Sequence, residues 1–480
     1  MSFLSSLRSA FSGRSPLRLY NTLSKQVEEF VLPPGVKQVR MYNCGPTVYG
    51  VQHIGNLSMF VFTDVLRRTL EANGFAVKQI INITDVGHLS SDADQGEDKM
   101  TLGLQREGME LTLENMRALA EKYTATFLAD LRSLNIETSR IQFPRASDYI
   151  PAQIAMIKTL EEKGYAYAAD GGVYFDTSRF PAYGALGGIN LEGLKEGARV
   201  AATSDKRHST DFVLWKLDAN LGWESPWGKG FPGWHIECSA MIRACLGEKI
   251  DIHTGGIEHI PIHHNNEIAQ SEVATGKKPL SRFWLHRAHI QIQGGKIAKS
   301  EGNVVYLSEI IERGFHLLAL RYLFLGAHYR TSSNFSWEAL AGAQNALLKL
   351  YEYYAGSVPD GHNDASAYIR RFNERINDDL DTPGGLAVMW EMTRDDTLSA
   401  VSKKEAMRKF DAVLGLDIST YMDSTHVLPL EVERLAQERK AARESEQWSE
   451  ADRLREHIES LGYSVKDTEQ GIVITPRRQN

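Results

Sequence analysis

The sequence contains few cysteines, no long hydrophobic run and no excess of positive charge. Its three cysteines, Cys44, Cys238 and Cys245, are too few and too scattered for a disulfide scaffold, and such thiols are typical of a reducing compartment. Without a continuous apolar stretch of about 20 residues, the chain is not expected to span a membrane. With 54 Lys and Arg against 61 Asp and Glu, the net charge of −7 excludes a globally basic nucleic-acid binder, although a local basic groove remains open.

The composition that remains is that of a soluble globular enzyme. Of the 480 residues, 42% are hydrophobic and 24% are charged, which excludes disordered, collagen-like and coiled-coil chains and predicts several domains. Residues 1–17 stand apart, because they are rich in serine, carry Arg8 and Arg14 and precede the first acid, Glu28. We interpret them as an N-terminal extension of a cytoplasmic protein, with a mitochondrial transit peptide as the alternative.

Hydrophobic spacing predicts a strand–helix–strand unit near the N-terminus. Residues 38–49 have the pattern of a strand that ends in a Gly-Pro turn, residues 55–73 have helical spacing, and residues 76–83 form a buried apolar run. Such a unit implies a parallel sheet. The later patterns predict helices at 112–134 and 150–163, short strands within 164–230, a return of the sheet around 234–252, helices at 307–354 and 365–416, a linker at 417–428, a charged helix after 429, and a final strand, GIVITP.

The tetrapeptide His53-Ile-Gly55-Asn56 lies between the first strand and the helix. Glycine at such a turn lets a nucleotide approach the backbone, and the helix N-terminus offers N–H groups and a positive dipole end to phosphates. Histidine there can donate to phosphate oxygens as charge develops on pyrophosphate. Taken alone, the four residues favour an ordinary strand–helix turn with Asn56 as the cap.

A second motif, GGKIAKSEGN at 294–303, combines glycines with Lys296, Lys299 and Ser300. A mobile loop of this kind can close over a triphosphate and bring two ammonium groups to the leaving pyrophosphate. A solvated surface loop is the alternative.

The third element is a candidate metal site made of scattered residues. Cys44 follows the first strand, Cys238 lies in GWHIECSAM, and His263 and Glu267 are four apart, hence on one face of a helix. Two thiolates, an imidazole and a carboxylate suit Zn²⁺. Their scatter excludes a zinc finger and indicates a site that the fold of a larger domain assembles. The alternative is that both cysteines are small buried hydrophobic residues.

The three elements together change the interpretation, because the chain resembles the cysteinyl-tRNA synthetases, a family of class I aminoacyl-tRNA synthetases. The resemblance runs from about Arg18 to the C-terminus. The segments that carry it are YNCGPTVYGVQHIGN (42–56), NITDVGHLSSDADQGEDKM (82–100), HSTDFVLWK (208–216), SPWGKGFPGWHIECSAM (225–241), DIHTGGIEHIPIHHNNEIAQSE (251–272) and GGKIAKSEGN (294–303).

The resemblance implies an ATP site. His53 to Asn56 matches the family's HIGH signature, with Asn56 in place of the final histidine, and KIAKS matches KMSKS, with isoleucine and alanine as departures. It implies that His53, Asn56, Lys296, Lys299 and Ser300 are catalytic. It also implies that Mg²⁺ assists on the phosphates and that ATP is bound by His53, Gly55, Asn56, Trp234 and Lys299.

The resemblance also implies one Zn²⁺ per subunit and a pocket for L-cysteine. The implied zinc ligands are Cys44, Cys238, His263 and Glu267, and the cysteine and adenylate pocket is expected near Gly45, Thr84, Trp234 and His253. Zinc discriminates cysteine from serine well, because it deprotonates a thiol far more readily than a hydroxyl. Such differential binding removes the need for an editing site.

The implied fold class is α/β, with a class I Rossmann-type nucleotide-binding domain that contains an insertion, followed by α-helical C-terminal domains. The expected boundaries are 1–17 for the extension, 18–150 and 231–306 for the two Rossmann halves, 151–230 for the inserted connective region, 307–347 for a helical stem-contact region, 348–428 for a helical bundle, and 429–480 for an anticodon-recognition region.

The implied activity is ATP-dependent ligation of L-cysteine to tRNA(Cys) through cysteinyl-adenylate, by a monomer. One alternative is the related ligase that joins cysteine to an amino sugar, but it lacks an equivalent of the tail after about Leu348. A non-catalytic RNA-binding paralogue is a second, but it would be free to lose Lys299 or the zinc ligands. A dinucleotide-binding oxidoreductase is not supported, because Cys44-Gly-Pro occupies the turn where GxGxxG would stand.

Overall fold

The computed structural model describes residues 15–86, 89–91, 95–188, 206–292, 295–296, 304–356, 363–419, 430–445, 447–461, 463–468 and 471–476. Residues 1–14 of the predicted extension and 420–428 of the predicted linker lie outside this part of the chain. The two interpretations of the extension therefore stay predictions.

Strands and helices alternate in the first two thirds of the chain, and helices dominate afterwards. The strands are β1 Arg18–Asn21, β2 Gln26–Glu29, β3 Gln38–Asn43, β4 Ala76–Ile81, β5 Leu89–Ser91, β6 Gln95–Asp98, β7 Ile141–Gln142, β8 Ala166–Ala169, β9 Gly172–Phe175, β10 Phe212–Leu217, β11 Gly230–Pro232, β12 Ile250–Gly256, β13 Ser281–Arg287, β14 Ile290–Ile292, β15 Gly295–Lys296, β16 Ser333–Phe335, β17 Tyr463–Thr468 and β18 Gly471–Pro476. The helices are α1 Ile54–Ala72, α2 Lys99–Glu107, α3 Leu113–Ser133, α4 Ile150–Glu162, α5 Trp234–Leu246, α6 His263–Thr275, α7 Leu307–Glu312, α8 Leu317–Leu325, α9 Trp337–Gly356, α10 Ser366–Asn377, α11 Thr382–Thr393, α12 Ala400–Leu414, α13 Leu430–Glu444 and α14 Trp448–Ser460.

Five parallel strands form the central sheet, in the spatial order β13-β12-β3-β4-β7. The predicted strand–helix–strand unit is confirmed, since β3 pairs in parallel with β4 and α1 connects them. The chain later returns on the other side of β3, where β12 pairs with it in parallel. This reversal of strand order opens a crevice at the carboxyl ends of β3 and β12, where open parallel sheets usually bind ligands.

Helix α1 is buried along nearly its whole length. Strand β4 contacts one side of it, and helices α8 and α12 contact it as well. Charged residues are buried with the apolar ones: Asp64 Oδ1 lies 2.6 Å from Arg67 Nη2, and Asp64 Oδ2 lies 2.7 Å from Arg68 Nε. The helix is therefore held between the sheet and the C-terminal helices, while its first turn faces the crevice.

One local prediction is wrong in the segment 234–252. Residues Trp234–Leu246 form helix α5, and the sheet resumes only at Ile250–Gly256. Because the eight residues from His235 to Ile242 are all buried, this stretch of α5 lacks the polar face that separates a helix from a buried strand. The segment 307–354, which the pattern predicts as helical, is interrupted by strand β16. This strand forms because it pairs in parallel with β14.

The tail also differs from its prediction. The charged segment forms two helices, α13 and α14, which pack against each other, and the predicted strand GIVITP pairs with β17, which the pattern does not predict. Folding back lets Leu435 and Leu454 share a small apolar cluster with Val465, which one long helix would leave exposed.

The region predicted as an insertion contains an antiparallel sheet in the order β11-β10-β9-β8. The domain boundaries themselves stay a prediction.

Among the residues that the structure describes, none of the helices has the length and apolar character needed to cross a membrane.

Candidate active site and metal centre

The crevice between β3 and β12 contains a tight turn at Cys44 and Gly45. The N–H of Gly45 donates to Asn82 Oδ1 at 2.8 Å. A Cβ atom on residue 45 would lie 1.6 Å from the carbonyl oxygen of Asn82, so only glycine fits there. Thr84, expected in the substrate pocket, is buried beside this turn, and its N–H donates to Pro46 O at 3.0 Å.

Four of the expected residues come together behind this turn. Cys44, Cys238, His263 and Glu267 each offer one ligand atom, and these atoms lie within 4.8 Å of one another. Helix α5 supplies Cys238, and α6 supplies His263 and Glu267 on one face, with His263 Nε2 2.9 Å from Glu267 Oε1. All four residues are buried. Their role as metal ligands remains a proposal.

The chemistry of this cluster fits a zinc ion. Two sulfurs, an imidazole nitrogen and a carboxylate oxygen are donors that Zn²⁺ accepts, whereas Mg²⁺ and Ca²⁺ prefer oxygen. Burial raises the pKa of Cys44, while the hydrogen bond with Cys44 lowers the pKa of Cys238 to about 6. Burial alone would raise the pKa of Glu267, but His253 and His263 outweigh it and hold that pKa below its usual range. Buried thiolate and carboxylate groups at this spacing are well matched by a bound cation.

A second group of potential ligands shares two of these residues. This second group consists of Cys44, His253, His264 and Glu267, whose potential ligand atoms also lie within 4.8 Å of one another. His253 Nε2 is 2.7 Å from Glu267 Oε2, and His264 Nε2 is 3.3 Å from Cys44 Sγ. This group fits zinc less well, because it contains one sulfur where the first group contains two. We interpret His253 and His264 as residues that orient the ligands.

Sequence reasoning missed His264 and His286. The adjacent pair His263-His264 was the available signal, because positions four and three before Glu267 both share its helical face. The partner of His264, His286, lies on β13. Its Nδ1 lies 2.8 Å from Thr22 Oγ1, and no sequence pattern links Thr22, His264 and His286.

A cavity of about 350 Å³ is lined by Cys44 of the metal cluster and by the first turn of α1. Its size is that of a small-molecule site. Trp234 forms one wall and stacks on His263, with ring centroids 4.1 Å apart. His253 and Thr84 are buried and are not among the described residues that line the cavity. The expected site residues that line the cavity are Cys44, Gly45, His53, Gly55, Asn56 and Trp234.

His53 is the N-cap of helix α1. Its Nδ1 accepts the backbone N–H of Asn56 at 3.2 Å, and its backbone is extended. The alternative in which Asn56 caps the helix is therefore wrong, because Asn56 lies inside the first turn and is exposed. Since Nδ1 accepts a hydrogen bond, the proton of the neutral ring is on Nε2. His53 thus presents a donor at the helix end where anions are favoured.

The lysine loop begins beside the same cavity. Strand β15 pairs with β14, so that the backbone of Lys296 lies opposite Gln291, and Ile290 of β14 lines the cavity. Lys299 and Ser300 lie outside the described residues, as does the side chain of Lys296. The roles of these three residues stay predictions.

The cavity wall contains charged residues that the sequence reasoning missed. Arg287, at the end of β13, lines the cavity together with Lys99, and Glu258 and His289 face each other there with Oε2 and Nδ1 3.6 Å apart. A single signal was available for Arg287, namely its position at the end of a buried strand, at the carboxyl edge of the sheet.

Comparison with known proteins adds two families and several relatives. The family described as tRNA synthetases class I (C) catalytic domain matches residues 31–345, and the Cysteinyl-tRNA ligase anticodon binding domain matches residues 425–473. Cysteine–tRNA ligase 1 of Burkholderia lata is 46% identical over 95% of this chain and 96% of the relative, and cysteine–tRNA ligase of Treponema denticola is 39% identical over 94% and 98%.

Among solved structures, methionyl-tRNA synthetase of Mycobacterium tuberculosis in complex with methionyl-adenylate matches with a TM-score of 0.53. The match covers 81% of this chain and 91% of that one at 14% identity. At this identity the likeness supports the fold alone, which is the class I synthetase fold with its parallel sheet.

Proposed function

The chain belongs to the cysteine–tRNA ligase family of class I aminoacyl-tRNA synthetases, and on that premise we propose how its cavity works. It is an aminoacyl-tRNA ligase that charges tRNA(Cys) with cysteine in an ATP-dependent reaction. We propose that charging proceeds through cysteinyl-adenylate and that a zinc centre selects the amino acid.

One observation carries this proposal. Cys44, a member of the buried group that also contains Cys238, His263 and Glu267, lines the same cavity as the first turn of α1. A site that recognises a thiol and a site that favours phosphates are thus joined in one space, as the activation of cysteine by ATP requires.

We assign the zinc ion to Cys44, Cys238, His263 and Glu267. When bound, Zn²⁺ supplies a soft Lewis acid that favours a thiolate over a hydroxyl, and so favours cysteine over serine. Around it, His253 holds the carboxylate of Glu267, and His235 Nδ1 lies 2.8 Å from His263 Nδ1. These contacts set the orientation of two ligands before substrate enters.

In the first step, the cysteine carboxylate attacks the α-phosphate of ATP, an O–P bond forms, and pyrophosphate leaves. No nucleophilic side chain takes part. We propose that His53 Nε2–H and the N–H groups of the first turn of α1 stabilise the negative charge on the phosphates, with Mg²⁺ as the counter-ion. We propose that Lys296 at the end of β15, together with Lys299 and Ser300 of the same motif, binds the leaving pyrophosphate.

In the second step, a hydroxyl of the terminal ribose of tRNA attacks the carbonyl carbon and AMP leaves. The substrate carries its own leaving group, so the protein's task is to hold the two reactants together. We propose that Gly55 and Trp234 contribute to nucleotide binding, because both line the cavity, and that Gly45 shapes the cysteine pocket.

Charging of total tRNA with labelled cysteine and labelled serine, with ATP and Mg²⁺, tests the proposal. We expect charging with cysteine alone, together with cysteine-dependent exchange of pyrophosphate into ATP. Exchange without charging would favour the ligase that uses an amino-sugar acceptor, although the anticodon-binding match at 425–473 argues against it. Neither activity in folded, zinc-loaded protein would favour the non-catalytic paralogue.

The cytoplasm is the proposed location, in keeping with the bacterial relatives, and a monomer is the proposed oligomeric state.

A further inference from the structure

Arg287 is a buried cation at the edge of the catalytic cavity. It is the last residue of β13, it is 6% exposed, and it lies in register with Gly256 at the end of β12. Its side chain lines the same cavity as His53 and Asn56. It therefore stands at the carboxyl edge of the sheet, beside the first turn of α1.

Few protein groups contact its guanidinium. Its Nε donates to Ser58 Oγ at 3.0 Å, and Ser58 Oγ donates to Gly55 O at 2.7 Å. The guanidinium carbon also lies 5.8 Å from the centroid of the Phe324 ring. Within the described part of the chain, Nη1 and Nη2 have no hydrogen bond and no carboxylate pairs with Arg287.

This situation is unusual for a buried arginine. The buried guanidinium groups of Arg67 and Arg321 both pair with Asp64, at 2.6 and 2.7 Å. A buried charge without a counter-ion is costly, and folded proteins normally pair it. Burial lowers the pKa of Arg287 to about 10, so the group still carries its positive charge at neutral pH. An anion supplied from outside the chain would complete the site.

The surroundings favour a phosphate anion. The N-terminus of α1 adds N–H groups and a positive dipole end to the same corner of the cavity. Arginine offers paired N–H groups that match two oxygens of one phosphate, which a single ammonium group does not. The Ser58 bridge to Gly55 fixes the guanidinium relative to the turn that approaches the nucleotide.

We propose that Arg287 binds the phosphate chain of ATP through Nη1 and Nη2 and is a further ATP-binding residue of this enzyme. The inference rests on the proposed function, because ATP is the anionic substrate that this cavity would hold. It adds a cation on the sheet to the two lysines of the KIAKS motif.

The test compares R287Q, R287K and S58A with the wild type in cysteine-dependent pyrophosphate exchange, which needs no tRNA. For R287Q we expect a rise in the KM for ATP of about tenfold or more, since a charge-assisted hydrogen bond is lost. The KM for cysteine and the zinc content should stay within about twofold. R287K should recover part of the loss, and S58A, which keeps the guanidinium, should lose less than R287Q. Melting temperatures show whether each variant folds.

A binding measurement separates phosphate contact from support of the turn. By calorimetry, R287Q should bind ATP and AMP more weakly than the wild type but adenosine equally well. An equal loss for adenosine, or an S58A effect as large as that of R287Q, would overturn the inference, as would an ATP KM unchanged in R287Q. A wild type that binds ATP but shows no exchange would instead count against the proposed function.

Discussion

At the scale of single residues, the metal cluster depends on groups that are costly to bury separately. Two thiols, an imidazole and a carboxylate lie within 4.8 Å of one another and away from water. Glu267 is held by hydrogen-bond-length contacts to His253 at 2.7 Å and His263 at 2.9 Å. Removing one donor is therefore expected to affect metal affinity and substrate choice together, since both depend on the same atoms.

Cys238→Ala tests this coupling. We expect the zinc content to fall and the KM for cysteine in pyrophosphate exchange to rise by at least about tenfold, because one of two sulfur donors is lost. Cys245→Ala is the matched control, since Cys245 contacts Tyr149 Oη at 3.3 Å instead of the cluster. If metal-depleted wild type still prefers cysteine over serine as strongly as before, zinc does not select the substrate.

At the scale of elements, helix ends explain the placement of charge. Helix α1 begins at the cavity with a histidine cap and has no acid in its first turn, which leaves its positive end to a ligand. Helix α3 shows the opposite arrangement at its end, where Asp130 lies near the negative end of the dipole. Within the described residues, Asp130 Oδ2 is buried and has no hydrogen-bond partner.

Asp130→Asn should stabilise the protein in a pH-dependent way. Burial raises the pKa of Asp130 from its ordinary value to about 6, so between about pH 4 and 6 the folded state binds more protons than the unfolded state. The stability of the wild type therefore falls as the pH rises through this window. We expect D130N to gain about 1 kcal/mol at pH 7.5, after allowance for solvent screening, and almost nothing at pH 4.

Melting temperatures at pH 4, 5.5 and 7.5 check this prediction. Glu114→Gln is the control, because Glu114 is exposed in the first turn of the same helix, where an acid is favourable. That variant should show no gain at high pH. A D130N gain that is independent of pH would show that the carboxyl group has an ordinary pKa.

At the scale of the whole molecule, Arg321 joins distant parts of the chain. This fully buried residue of α8 donates to Leu414 O at 2.7 Å, to Leu134 O at 2.9 Å and to Asp64 Oδ2 at 2.7 Å. It thereby connects the ends of α12 and α3 to the middle of α1, whose first turn faces the cavity. Helix α1 and the C-terminal helix α12 thus share one buried polar network.

Arg321→Met keeps most of the side-chain volume but removes these bonds. We expect a loss of about 3 kcal/mol in the free energy of unfolding, because a buried carboxylate loses a partner and two carbonyls lose their donor. Denaturant titration measures it, with Arg370→Met as control, since Arg370 is exposed. A loss no larger than the control's would mean that Arg67 and Arg68 suffice for Asp64.

The C-terminal helices present an exposed aromatic residue to the solvent. Trp448 is 56% exposed at the start of α14, within the segment that matches the anticodon-binding family. Exposed aromatic rings stack on unpaired RNA bases, and each stack contributes about 1–3 kcal/mol. The anticodon loop supplies such bases.

Trp448→Ala should raise the KM for tRNA in charging by about tenfold and leave pyrophosphate exchange unchanged. Leu461→Ala is the control, since Leu461 is also exposed, at 38%, but has no ring to stack. Equal tRNA KM values for the two variants would contradict a stacking role for Trp448.

The sequence by itself determined the parallel sheet, helix α1 after strand β3 and the four candidate metal ligands. These follow from local properties, namely hydrophobic period, glycine at a turn and the chemistry of donor atoms, which a one-dimensional pattern retains. The family resemblance joined them into one activity, and the matches at 31–345 and 425–473 agree with it.

Only the tertiary structure decided which distant groups meet. Arg287 bonds Ser58 across 229 positions, and His264 bonds His286 across the gap between α6 and β13. The order of strands in the sheet sets these distances, and the pattern within each strand does not contain that order. For the same reason the burial of all eight residues from His235 to Ile242 concealed the helical nature of α5. The elements packed around this stretch, and not the hydrophobic period of its own sequence, remove it from water.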